Sequence, residues 1–457
     1  MKPLSKHPAS YRDPSGYMFE QDNRLYRFVH NSYKTHYDQL VNSGLYQKLA
    51  DAGLIIPHTD VTASFDAAND CYKILQPEPV SFWTYPYEWS FEQLRQAALL
   101  TLKLNLGALE HGMILKDASA HNIQFRSGKA LLTDTLSFEL YEEGKPWQAF
   151  RQFCQHFLYP LLLHAKLPYF TPAMLMHYTD GIPAAAAAAM LPRSAKFNAN
   201  LWLYVYLPAK LSAQQKPAQK QLSVSKNKIV QNLQHLSGII GKLQHKTARS
   251  QWNHYYTETI LSDSYLQHKE QLVTEMLTGL QPATTVDMGC NTGAFSKIAA
   301  QHSQQVISLD TDPLCIDLIL QDTQKTGIKN ITPLVADICN PSPATGWNNK
   351  EHKSLLERLS GDCVLALALI HHIALSKNVP LDFIVQLMAR ITTRHLIIEF
   401  VPKSDPRAQL LLQSREDIFT DYTQANFEAV LQSYFTIVRT EKINGSNRML
   451  YLAKRKV

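Results

Sequence analysis

From residue 284 onward the chain repeats one pattern. Short apolar runs, "TTVDMG", "QVISLD", "ITPLVAD", "DCVLALAL" and "HLIIEF", are separated by stretches of helical periodicity. Few folds tolerate this alternation, because each strand needs a helix to carry the chain back to its neighbour. It predicts βαβ units and a mainly parallel sheet, an α/β architecture. The pattern changes at the end. "FTIVRTEKI" and "RMLYLAKRK" flank "NGSN", a hairpin turn signal, so the sheet should finish in an antiparallel pair.

With 457 residues, the chain has room for more than one domain, at roughly 100–200 residues each. Residues 211–228 are rich in Gln, Lys, Ser and Ala and carry no hydrophobic period, so they read as a linker. The expected division is therefore 1–210, a linker at 211–228, a helical lead-in or lid at 229–283, and the α/β domain at 284–457. The lead-in rests on helical spacing in "KIVQNLQHLSGIIGKLQHK" and "YLQHKEQLVTEMLTGL".

A 45% hydrophobic fraction supports a buried core. The net charge of +6 is spread along the chain without a basic face, which argues against a nucleic-acid partner. The first residues lack the apolar run of a signal peptide, and no stretch approaches the length of a membrane span. Six scattered cysteines, with no C-x-x-C pair, point to reduced thiols and no zinc site. A cytoplasmic protein without a membrane partner is expected.

The chemistry concentrates at "VDMGCNTGAF" (286–295), where Asp287, Gly289 and Gly293 form D-x-G-x-x-x-G. Gly289 allows a sharp turn and close approach to a ligand. Gly293 allows close packing at a helix start, where free N–H groups point outward. A dinucleotide turn would read G-x-G-x-x-G, and a phosphate loop would need G-K-[ST] after the second glycine. Ala294 and Phe295 exclude the latter, and phosphate fits poorly. A cofactor with a ribose, an adenine and a charged amino-acid end remains. Asp310, ending "QVISLD", suits both ribose hydroxyls. Asp337, in "PLVADI", suits the exocyclic amine of adenine.

"VDMGCNTGAF", "VISLDTDP", "ADI" and "VLALALIHH", with the terminal hairpin, resemble class I S-adenosylmethionine-dependent methyltransferases over about residues 250–457. "ALALIHH…NVPL", "IIEFVPKSDP" and "REDIFTDYT" further resemble a bacterial family related to the rhizobial nodulation protein NoeA. The resemblance implies a Rossmann-like seven-stranded sheet, S-adenosylmethionine as cofactor, and contacts from Asp287, Gly289, Gly293, Asp310 and Asp337; Asn291, in the same turn, and Tyr256 are further candidate cofactor contacts. Trp252, Tyr255 and Tyr256 suit a lid over the methionine end of the cofactor, or core packing.

The acceptor is left open by the residues, as is the oligomeric state. At 369–372, where many amine methylases carry [DN]-P-P-[YF], the chain reads "LIHH". Adjacent imidazoles suit deprotonation of a hydroxyl. An oxygen acceptor on a small molecule, glycan or peptide is expected, with His372 the favoured base and His371 the second candidate. Glu399, ending "IIEF", suits orientation of a histidine or of the substrate.

The N-terminal part carries a second signal. In "HGMILKDASAHNIQF" (111–125), Asp117 and Asn122 form D-x-x-x-x-N, and an apolar strand then ends at Asp134 in "LLTDTLSF". This is the protein-kinase order of base, metal-binding asparagine and metal-binding aspartate. The stretch resembles protein kinases and small-molecule kinases of the aminoglycoside phosphotransferase type. The resemblance implies an α+β kinase-like domain, with Asn122 and Asp134 holding Mg²⁺ and ATP if the site is active. The glycine-rich loop is absent, Arg27 stands in for the usual lysine, and D-T-L replaces D-F-G. A degenerate domain, a bifunctional kinase and methyltransferase, and a non-catalytic scaffold all remain open.

Overall fold

The structure, a computed structural model, describes residues 6–66, 70–213, 223–245, 263–413 and 416–456. The chain divides into two compact units: Met1–Ala248 with Ala344–His352, and Arg249–Pro343 with Lys353–Val457. Among the described residues, no helix is long and apolar enough to cross a membrane.

Unit 1 begins with a four-stranded antiparallel sheet. Its strands are β1 (Gly16–Gln21), β2 (Arg24–His30), β3 (His58–Asp60) and β4 (Cys71–Pro77), in the order β1-β2-β4-β3. β1 and β2 join through Asp22 and Asn23, both with positive φ, a two-residue hairpin that leaves no loop to cradle a phosphate. The long helix Phe91–Glu110 follows, started by a capping box in which Ser90 and Gln93 satisfy each other's backbone N–H groups. Two small ribbons come next. β5 (Met113–Leu115) pairs with β8 (Phe138–Leu140), and β6 (Ile123–Arg126) pairs with β7 (Lys129–Leu132).

The first unit extends beyond the boundary read from the sequence. Helix Lys226–Gly241, assigned there to the lead-in of the C-terminal domain, packs instead into the unit 1 core. Its Leu233, Leu236 and Ile240 are fully buried with residues of the Phe91–Glu110 helix. An amphipathic period specifies that one face is covered, but not by which domain. Residues 344–352 also return to unit 1. Glu351 accepts from Arg12 Nε at 2.9 Å and from Tyr11 at 3.0 Å, and the His352 ring stacks on His121 at 4.3 Å.

Unit 2 holds a seven-stranded sheet in the order β11-β10-β9-β12-β13-β15-β14. The strands are β9 (Thr284–Met288), β10 (Gln305–Asp310), β11 (Ile331–Val335), β12 (Gly361–Ala366), β13 (Thr392–Phe400), β14 (Phe435–Lys442) and β15 (Met449–Arg455). The first five run parallel; β15 is antiparallel to both β13 and β14. Val286, Leu309, Val364, Leu365 and Ile397 are almost wholly buried, as expected where helices cover both faces. The strand order reverses beside β9, with β10 on one side and β12 on the other. Ligands of open α/β sheets bind at the carboxyl ends of strands at such a reversal.

Candidate active site

The turn after β9 is built by backbone constraints. Gly289 has φ +71° and its N–H bonds Leu309 O at 2.9 Å, which ties the turn to β10. A Cβ at Gly289 would come within 3.1 Å of Leu369 Cδ1, in the loop after β12. Gly293, at φ +80°, caps helix Ala294–His302, and a Cβ there would press on Ile319 Cγ1 at 2.7 Å. One glycine thus lets the turn lie against the neighbouring loop, and the other lets two helices close.

Three acids end up at the carboxyl ends of three adjacent strands. Asp287 is buried in β9 and accepts from Ser296 Oγ at 2.6 Å, while Ser308 donates to Ser296 at 2.9 Å. Burial, opposed by the Ser296 bond and reinforced by the charge of Asp310, pushes the Asp287 carboxyl up to about 6. Asp310 ends β10. Its Oδ2 accepts from the Asn291 N–H at 2.8 Å and its Oδ1 from the Asp312 N–H at 2.9 Å. Asn291 sits in the turn with φ 49°. Burial raises the Asp310 pKa against those N–H donors. The Thr311 N–H is a third backbone donor to this carboxylate, which leaves part of its acceptor capacity for a ligand. Asp337 follows β11, its Oδ1 accepting from Cys339 N–H at 2.8 Å. Tyr256, Trp252 and Tyr255 lie outside the described residues.

The acceptor-side residues differ from expectation. β12 stops at Ala366, Ala368 takes a positive φ, and a π-helical turn spans His372–Ser376, so the histidines open a helix rather than extend a strand. His371 is fully buried, and neither ring nitrogen has a hydrogen-bond partner. Enclosed in this way it presents no ring nitrogen at the surface, so the structure places it as a core residue rather than as an exposed base. Its ring lies 4.1 Å from that of His372. His372 is partly buried, and burial, with Arg448 and Arg407 adding, pushes its imidazole down to about 4. The expectation of an imidazole titrating near neutrality fails for this reason.

Glu399 is likewise corrected. It is fully buried at the end of β13 and held by Lys269 Nζ at 2.6 Å, Tyr265 OH at 2.7 Å and Arg448 Nη1 at 3.3 Å. Burial alone would raise it, yet Lys269 and Arg448 hold its pKa below the ordinary carboxylate value. Arg448 also grips Asp405, with Nε to Oδ2 at 2.7 Å and Nη2 to Oδ1 at 3.0 Å. Lys269 lies 4.8 Å over the Phe295 ring. This closed network was missed from the sequence, because its members come from four separated segments with no shared spacing. The one available signal was Arg448, a charge next to the hairpin turn.

In unit 1, Asp134 forms an ion pair with Arg27, accepts from Ser137 Oγ at 2.7 Å and accepts from the Leu136 N–H at 3.3 Å. Asn122 Nδ2 donates to Ser137 Oγ at 3.4 Å, and Asp117 accepts from the Ser119 N–H at 2.9 Å. Both oxygens of Asp134 are therefore engaged. Among the described residues, no group of three or more His, Cys, Asp or Glu side chains is arranged to hold a metal. Asp134, expected as a Mg²⁺ ligand if the site is active, is ion-paired with Arg27 in this structure, and Asn122 is turned to Ser137.

No family model matches the chain. The nodulation protein NoeA of Rhizobium meliloti (strain 1021) is 33% identical over 465 residues, covering 98% of this chain and 95% of that protein. Among solved structures, the N-methyltransferase NodS from Bradyrhizobium japonicum WM9 covers 43% of this chain and 99% of its own, at 12% identity and a TM-score of 0.33. The magnesium protoporphyrin IX methyltransferase ChlM from Synechocystis PCC 6803, with bound SAM, covers 42% of this chain and 81% of its own, at 18% identity and a TM-score of 0.30. Overlaps this low do not bear on the chemistry. The full-length match does decide kinship: this chain belongs to the NoeA family.

Proposed function

We propose that the chain is an S-adenosylmethionine-dependent methyltransferase acting through unit 2. The observation that carries this reading is the junction of the Gly289–Gly293 turn with Asp310. The turn is pinned to β10 by an Asp310 carboxylate, held by neutral backbone donors, at the strand-order reversal. The residues present fit the cofactor. Asp310 is an acceptor pair suited to vicinal ribose hydroxyls, Asp337 is an acceptor suited to the adenine amine, and Asp287 is a carboxylate suited to a cationic end.

The bound cofactor supplies a methyl group already activated by its sulfonium, so the protein need only position, desolvate and handle a proton. Gly289 lets the turn lie against Leu369. Ser296 orients the Asp287 carboxylate. His372 is neutral at pH 7 and has the lone pair needed to accept a hydrogen bond from an acceptor hydroxyl. The acceptor is an oxygen on a small molecule, glycan or peptide. Six unpaired cysteines support a reducing, cytoplasmic setting.

Unit 1 is read as a kinase-like domain that does not transfer phosphate, since Arg27 holds the aspartate that a metal would need. Calorimetry with S-adenosylhomocysteine tests the main reading: saturable binding supports it, and its absence favours a scaffold. Incubating the protein with isotopically labelled methyl donor and cell extract, then finding the labelled product by mass spectrometry, identifies the acceptor.

A further inference from the structure

Unit 1 carries an open groove of about 480 Å³ that the methyl-transfer reading does not use. Its volume lies in the range of small-molecule sites. Leu162, Leu201, Ile239 and Leu243 supply apolar wall, and Lys166 and Lys242 supply charge, with no acidic residue lining it. Among the described residues, the groove therefore offers hydrocarbon contact and two lysine side chains together. We propose that it binds an amphipathic anion, whose carboxylate or phosphate head is neutralised by Lys166 and Lys242 and whose hydrocarbon portion lies on the leucine and isoleucine side chains.

Three features indicate that the groove is built rather than incidental. Gly238 lines it from the middle of helix Lys226–Gly241, and a Cβ there would meet nothing within 4 Å. A helix-interior glycine costs stability relative to alanine, and no packing contact requires this one. It leaves that stretch of the groove wall without a side chain. Two walls come from helices that adjoin π-helical turns, Cys154–Leu158 before Tyr159–Lys166 and Trp202–Tyr206 after Ala199–Leu201. Such turns are rare and recur at functional sites. Finally, the ring of His235, another lining residue, is fixed. Tyr204 donates to Asn232 Oδ1 at 2.7 Å, and its hydroxyl lies 2.9 Å from His235 Nδ1, which holds the imidazole in place.

The test is calorimetry of the full-length protein with octanoate, octyl phosphate and octanol. Either anion should bind saturably and at least about tenfold more tightly than octanol. A preference for octanoate assigns a carboxylate head, and a preference for octyl phosphate assigns a phosphate head. Gly238→Trp fills the groove and should abolish binding. Gly241→Trp, on the same helix but outside the lining and with equally open Cβ space, should retain it. The Lys166→Gln, Lys242→Gln double variant should lose the preference for anions while its circular dichroism stays unchanged. Equal affinity for octanol, wild-type affinity in Gly238→Trp, or no saturable heat with either anion would each overturn the proposal.

Discussion

Asp310 and Asp134 occupy comparable positions in the two units. Each follows an apolar strand and opens a turn whose own N–H groups it accepts. Asp310 is held by neutral donors, the N–H groups of Asn291 and Asp312. Asp134 is held by a guanidinium, that of Arg27. Neutral donors orient a carboxylate and leave its charge to offer to a ligand, whereas a guanidinium cancels it. The same residue type at the same kind of strand end thus keeps its charge in one unit and is ion-paired in the other.

The largest effect that could disturb this comparison comes from the network beside the crevice. Glu399→Ala leaves Lys269 and Arg448 buried without their shared partner, and should cost about 3–5 kcal/mol of stability. Urea denaturation measures this. A loss below about 1 kcal/mol, the range of exposed pairs, would mean that the network is wetter than it looks.

Asp310→Ala sharpens the contrast directly. It removes both the proposed ribose acceptor and the pin on the turn, so the dissociation constant for S-adenosylhomocysteine should rise roughly tenfold to a hundredfold, or about 1–3 kcal/mol. An unchanged constant would end the ribose assignment.

A pH series comes next in size. The folded pKa of Asp287, about 6, lies above the ordinary carboxylate value. Its proton therefore favours the folded state. That contribution is complete below about pH 4 and is lost as pH rises through about 6. Affinity for the cationic S-adenosylmethionine should move the opposite way, weakening as pH falls below about 6, and Asp287→Asn should flatten the curve. Binding that is level from pH 5 to 8 in the wild type would detach Asp287 from the cofactor's cationic end.

The smallest expected effect is in unit 1. Asp134→Ala should leave S-adenosylhomocysteine binding unchanged, and the wild type should show no magnesium-dependent ATP turnover for the substitution to remove. Turnover that disappears in Asp134→Ala would break the comparison, because it would show Arg27 yielding its place to a metal.

Much of unit 2 was legible because its signals are local. Strand runs, a D-x-G-x-x-x-G turn and an "NGSN" hairpin each lie within about ten residues, and backbone sterics dictate their outcome. What was illegible is relational. Nothing near Glu399 announces Lys269 or Arg448, and nothing near Asp134 announces Arg27. The partner of helix Lys226–Gly241 was misassigned because periodicity describes a face and not its neighbour. His371 and His372 were read correctly as adjacent imidazoles, but their burial, and so their loss of basicity, depends on the surrounding fold.

The detour of residues 344–352 has a consequence for how this polypeptide can be divided. The sequence suggests a clean cut near the middle, yet no single scission yields two intact pieces. A fragment beginning at 249 would carry Glu351 and His352 away from Arg12 and His121, stranding a carboxylate and an imidazole in water and leaving a gap in the other half.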